Sequence, residues 1–187
     1  MKRGLQLEYA TLGWNVVGFV VVFIAAFAAR SAALVGFGLD SLVEIFASIV
    51  VIWQLNGVAA PRESRALRLI GAAFFALATY VLAQSAYVLL RQIHPNPSPG
   101  GILWLAVTVL AMLALAYGKH DTGAKLENPV LATEARVTSI DAVLAFVVLL
   151  GLALNAGLGW WWADPIAGLV IVYYGFREGV HAWNEGA

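Results

Sequence analysis

Val16-Val17-Gly18-Phe19-Val20-Val21-Val22-Phe23-Ile24-Ala25-Ala26-Phe27-Ala28-Ala29 contains no charge, no proline and no side chain that needs a hydrogen bond. The run is part of an apolar stretch over 7–29, long enough at about 1.5 Å per residue to cross a hydrocarbon layer as a helix. In lipid a helix satisfies all its own backbone groups, which no other single segment can do. Arg30-Ser31 makes a tight turn, and a second apolar run follows at 32–54. Working outward, further runs occupy 66–90, 101–118, 131–155 and 165–183. The pattern predicts an all-α, polytopic membrane protein: a six-transmembrane-helix bundle forming a single transmembrane domain over 1–187.

Composition agrees. Of 187 residues 61% are hydrophobic and only 12% charged, and the mean hydropathy is +0.83. A soluble domain of this size could not turn so little polar surface to water, whereas a lipid-facing exterior removes the difficulty. Eleven basic and 11 acidic residues balance to zero, so nothing argues for a nucleic-acid partner. Absence of Cys excludes disulfides, thiolate metal sites and thiol catalysis. Lys2-Arg3 ahead of an apolar run, with Ala26-Phe27-Ala28 behind it, imitates a cleavable signal. The run is longer than a signal core and the rest of the chain is equally hydrophobic, so the segment is expected to remain as the first span.

The connections carry breakers or charge. Pro61-Arg62-Glu63-Ser64 reads as a polar loop, 94–101 is rich in Pro and Gly, 119–129 is the most charged stretch, and 157–162 is a Gly/Trp turn. Asp164-Pro165 reads as an N-cap followed by Pro at the first helical position. With the N-terminus inside, the cytoplasmic side holds Lys2, Arg3, Arg62, Arg65, Arg68, Lys119, Lys125, Arg136 and Arg177, against Arg30 and Arg91 outside. Lysine and arginine favour the cytoplasmic side, so both termini are expected there. Trp104, Trp160, Trp161 and Trp162 then fall at the outer interface, with Trp53 and Trp183 at the inner one.

Two spans contain acids. Asp40 and Glu44 stand one turn apart on one helix face, about 14 and 20 Å from the outer end of the second span. Asp141 in the fifth span lies about 15 Å from the opposite end. Each would cost at least about 2.5 kcal/mol if left ionised in lipid, and no Lys or Arg falls at that depth in the predicted spans. Protons or a metal cation must compensate. The plain structural alternative, protonated carboxyls bonded to Ser, Thr or Asn of neighbouring helices, accommodates one such acid more easily than three. Thr138 and Asn15 are candidate oxygen ligands, each with a helix-packing alternative. Asn155 and Gln84 read as packing or interfacial groups, and His94, His120 and His181 as solvated; Lys119-His120-Asp121 is a weak cation-attracting spot at best. Glu134 either guards the entrance or pairs with Arg136 or another nearby base.

These residues resemble a known family. Ser31-Ala32-Ala33-Leu34 leading into Gly38-Leu39-Asp40-Ser41-Leu42-Val43-Glu44 is similar to the second helix of the cation diffusion facilitator (cation efflux) superfamily, in which two metal ligands sit four apart. The fifth span with Gly159-Trp160-Trp161-Trp162-Ala163-Asp164-Pro165-Ile166-Ala167-Gly168 resembles that family's fifth and sixth helices. The resemblance places Asp40 and Glu44 at the second-helix ligand positions and Asp141 at the second position of the fifth-helix pair. The first position of that pair falls at Val137, which cannot coordinate; the fourth ligand is then water, Thr138 or Asn15, and a His at 137 is expected to add a nitrogen ligand. The chain looks like a short, divergent member without the family's cytoplasmic C-terminal domain.

What the resemblance implies is a homodimeric divalent-metal transporter, in a bacterial inner (plasma) membrane, exporting its ion from the cytoplasm in exchange for protons. Zn²⁺ is favoured by resemblance, whereas an all-oxygen shell leans toward harder ions such as Mn²⁺; Co²⁺, Fe²⁺ and Cd²⁺ stay open. A metal-binding or regulatory membrane protein that does not transport is the rival expectation. No nucleophile–base pair, Cys or metal-site His pair supports an enzyme.

Overall fold

The computed structural model describes residues 2–55, 60–125 and 129–185, and their side chains apart from 2–5, 8, 47–55, 60–64, 66, 129–134 and 185. All of the regular structure in these residues is helical. The helices are α1 (Lys2–Ala29), α2 (Ala32–Leu55), α3 (Ala60–Arg91), α4 (Pro99–Lys125), α5 (Pro129–Leu158) and α6 (Ala163–Glu185). Four of them carry described stretches long and apolar enough to cross a bilayer: Tyr9–Ala29, Leu67–Arg91, Pro99–Lys125 and Ala135–Leu158. The side chains of Glu134, Trp53, Lys2, Arg3 and Arg62, used above for the entrance and the orientation, lie outside those described.

Helix boundaries differ from the sequence reading where charge was taken for loop. Residues 61–64 belong to the first turn of α3, where Pro61 is tolerated because its missing N–H has no helical partner there. In the 119–129 stretch α4 runs on to Lys125, held by an i,i+4 pair of Lys125 and Asp121 at 2.8 Å. Charge alone does not end a helix.

α4 packs along α5 and α3 along α6, while α2 lies among α1, α3 and α6 and touches α5. The main core gathers Val22, Leu34, Phe37, Leu105, Leu144, Val148 and Ile171 from five helices. Small residues allow the close crossings, as is usual where lipid supplies no hydrophobic drive. A Cβ on Gly151 would stand 2.9 Å from Ala167 Cβ and 3.0 Å from the Ala163 carbonyl oxygen, and one on Gly71 would stand 3.0 Å from the Gly179 carbonyl oxygen.

At the end of the bundle that carries the 94–98 segment, α1 and α3 close with left-handed residues, Arg30 (φ 54°) and Gln92 (φ 51°). Each is followed by a six-to-one backbone bond, Ser31 N to Ala26 O at 3.3 Å and Ile93 N to Val88 O at 3.0 Å, the Schellman pattern. Ser98 caps α4 by accepting from Gly101 N at 3.3 Å, with Pro99 at the first helical position. Asn155 donates to Pro95 O at 2.9 Å, so it packs as expected. His94, though exposed, stacks on Trp161 at 5.1 Å between centroids. Trp104 is no simple interfacial anchor: it stacks on Trp14 at 5.1 Å over the space left by Gly18, while Trp14 Nε1 donates to Thr108 Oγ1 at 3.3 Å.

Candidate metal site

Ser31 and Asp164 set the start of α2. Ser31 Oγ accepts from Leu34 N at 3.0 Å, the N-cap bond. The same hydroxyl donates to Asp164 Oδ2, and Asp164 Oδ1 accepts from Ala32 N at 2.9 Å and Ala33 N at 3.4 Å. Asp164 therefore caps α2, 132 residues away, rather than its own helix; the sequence pattern Asp-Pro had placed the cap on α6. The carboxylate is fully buried, and the orphan N–H groups of α2 supply the compensation that burial demands.

From this anchor α2 descends against α6. A Cβ on Gly168 would lie 3.8 Å from Ala33 Cα, and one on Gly36 would lie 3.1 Å from Ile171 Cδ1. One turn beyond Gly36 comes Asp40, and one more turn brings Glu44. Across from them α5 presents Asp141. One carboxylate oxygen from each of Asp40, Glu44 and Asp141 lies within 4.8 Å of the other two. Asp40 and Asp141 are buried and Glu44 half-buried. Two helices thus bring together the three acids singled out from the sequence.

The two supporting candidates also lie on the packed side. Thr138, one turn before Asp141, is buried. Asn15 Nδ2 donates to Glu44 Oε2, so α1 meets the cluster as a hydrogen-bond donor that orients a carboxylate. Val137 is 40% exposed, in contrast to 1% for Thr138 beside it. A side chain at 137 is thus only partly covered on α5.

Three carboxylates so close in apolar surroundings cannot all remain charged without positive compensation, since each disfavours ionisation of the others. An ion bound by three such oxygens at about 2.1 Å would hold them roughly 3.4 Å apart. The donor set is all oxygen, which suits a divalent cation and offers no nucleophile–base pair.

The sequence reading passed over Glu178 and placed Lys119 at a charged edge. Lys119, expected at the charged inner edge, is wholly buried on α4 beside buried Thr122. Glu178 of α6 is half-buried, on the helix whose Asp164 caps α2. The signal for Glu178 was the stripe Asp164, Ala167, Ile171, Tyr174 and Glu178, at the three-and-four spacing of one helix face.

Comparison with known proteins fits this geometry. Transmembrane protein 163 of Xenopus laevis is 23% identical to this chain, across 94% of it and 66% of the relative. The chain thus spans just under two thirds of that relative's length. The cation efflux transmembrane domain matches residues 68–185. That segment runs from α3 to α6 and includes Thr138 and Asp141, while Asn15, Asp40 and Glu44 precede it. With more than half of its length in the match, the chain belongs to the cation efflux family, a family of membrane cation transporters.

Proposed function

We propose that this protein exports a divalent metal cation, Zn²⁺ in preference to Mn²⁺, Co²⁺, Fe²⁺ or Cd²⁺, through a site formed by Asp40, Glu44 and Asp141. The observation that carries the reading is the meeting of these three acids, from two helices, within 4.8 Å. Thr138 would add a hydroxyl ligand, and Asn15 would hold Glu44 through its hydrogen bond. Metal binds only the deprotonated carboxylates, so loading releases protons and protonation releases metal. Opening the site alternately to the two sides then couples metal leaving to protons entering. The distribution of Lys and Arg supports six spans with both termini cytoplasmic, hence export. A bacterial inner membrane and a homodimer complete the reading; both come from the family resemblance.

Purified protein in proteoliposomes, loaded with a zinc dye and given a proton gradient, tests it. Zinc flux that follows the gradient and disappears in Asp141→Asn is the expected result. Zinc binding without flux under either polarity of gradient would favour a binding or regulatory protein.

A further inference from the structure

We propose that α6 contributes a fourth carboxylate to the cation's path: Glu178 draws the incoming ion toward the Asp40–Glu44–Asp141 cluster. This rests on the metal-transport reading above and adds a residue and a step to it.

The argument is one of register and face. α2 and α6 start at the same end of the bundle, where Asp164 accepts from Ala32 N and Ala33 N. Gly168 then approaches Ala33 and Gly36 approaches Ile171. The pairings 168 with 33 and 171 with 36 both carry an offset of 135. Continued at a common rise, this offset brings Glu178 level with Val43 and Glu44. Glu178 also lies on the correct side of its helix. Asp164 bonds α2, Ala167 and Ile171 belong to the core shared by α1, α2, α4 and α5, and Tyr174 packs against that core. Glu178 continues this stripe by four residues. The adjoining face, with Gly175 and Gly179, is turned to Ala78 and Phe75 of α3.

Burial separates the roles. Asp40 and Asp141 are enclosed, whereas Glu178, like Glu44, is half-buried. Glu178 lies outside the group whose oxygens come within 4.8 Å of one another. It sits toward the end of the bundle opposite Asp164, the cytoplasmic end in the proposed topology. A half-buried carboxylate at the rim of a low-dielectric site raises the local concentration of a cation. Such a rim charge acts on association and its salt dependence, whereas a buried ligand acts on dissociation. Arg177, its neighbour in sequence, is exposed and about 100° around the helix from it; His181, one turn on, is exposed and engaged in an interaction of its own.

Stopped-flow mixing of Zn²⁺ with the full chain in nanodiscs, read against a zinc-chelating dye, separates these roles. Glu178→Gln is expected to slow association about three- to tenfold and flatten its salt dependence, with the dissociation rate unchanged. Glu178→Lys should slow it further, and Glu178→Asp should restore most of the rate. Unchanged association and salt slope in Glu178→Gln would overturn the inference, as would a dissociation rate raised as far as that of Asp141→Asn. If the parent itself binds no Zn²⁺, the transport reading fails and this inference falls with it. If the parent binds and Asp141→Asn does not, an unaltered Glu178→Gln refutes only the role of α6.

Discussion

Asp141→Asn removes the single acid that α5 brings to the site and leaves the backbone and the side-chain volume almost unchanged. In the metal-bound state a buried cation would lose one of three charged partners. Removing one member of a buried charge pair costs about 3–5 kcal/mol, and each 1.4 kcal/mol is a factor of ten. Zinc affinity is therefore expected to fall roughly 150-fold or more. In the metal-free state the sign reverses. The parent crowds three carboxyls within 4.8 Å, and an amide relieves part of that repulsion, so the variant should unfold at the same temperature or a higher one. Chelator-competition titration with Zn²⁺, paired with thermal unfolding in detergent, measures both. Asp40→Asn and Glu44→Gln should follow the same pattern. Parent-like zinc affinity in all three variants would show that the acids are not the ligands, and a large loss of thermal stability in Asp141→Asn would show that they hold the fold instead.

Zinc affinity should weaken as pH falls, because protons compete for the same oxygens; titrations at several pH values would reveal a flat response if the ligands lay elsewhere. Single cysteines at exposed Asn96 and Gly157, in a chain with no native Cys, should react with an impermeant maleimide from outside only; labelling solely from the cytoplasm would reverse the direction of transport. Asp164→Ala strips the cap from α2 and leaves buried donors unpaired, a loss of about 1–3 kcal/mol, visible as a lower unfolding temperature; an unchanged temperature would mean water replaces the carboxylate. Val137→His, one turn before Asp141, should tighten Zn²⁺ relative to Mn²⁺ binding by adding a nitrogen ligand; equal loss for both metals, or no change, would place 137 outside the site.

The fold was legible because the bilayer permits so few solutions. Six apolar runs separated by Arg30-Ser31, a Pro-rich segment and a Gly/Trp turn leave little besides six helices. The ends were less legible, since a charged stretch such as 119–125 continues a helix as readily as it leaves one. Asp40, Glu44 and Asp141 could be read from cost alone: an acid in the middle of an apolar run needs a reason. Their convergence could only be estimated as shared depth, because depth says nothing of rotation. At Val137 and Thr138 that gap showed. Both lie one turn before Asp141, at four and three residues, and the sequence cannot decide which follows it inward; in the structure Thr138, like Ala135, Ala142 and Ala145, is buried, while Val137 is 40% exposed.

The same argument explains why α6 was underread. Asp164 beside Pro165 has the local look of a helix start, and local capping is the commonest use of such an Asp. What sequence could not show is that α2 begins alongside, with N–H groups that need an acceptor. Once the carboxylate is seen to bond α2, the phase of α6 is fixed, and every third or fourth residue below it must face the same neighbour. Ala167, Ile171 and Tyr174 obey. Glu178 is the next member, the first carboxylate after Asp164, and its register puts it at the depth of Glu44. An acid placed there by chance on a packed face would be costly unless something positive visits it. A helix that first clamps the start of α2 and then, four turns on, presents a carboxylate beside its ligands links the anchoring of the site to the approach of its ion. If Glu178→Gln slows zinc capture while Asp164→Ala lowers stability, the two ends of one stripe will have been shown to do separate work.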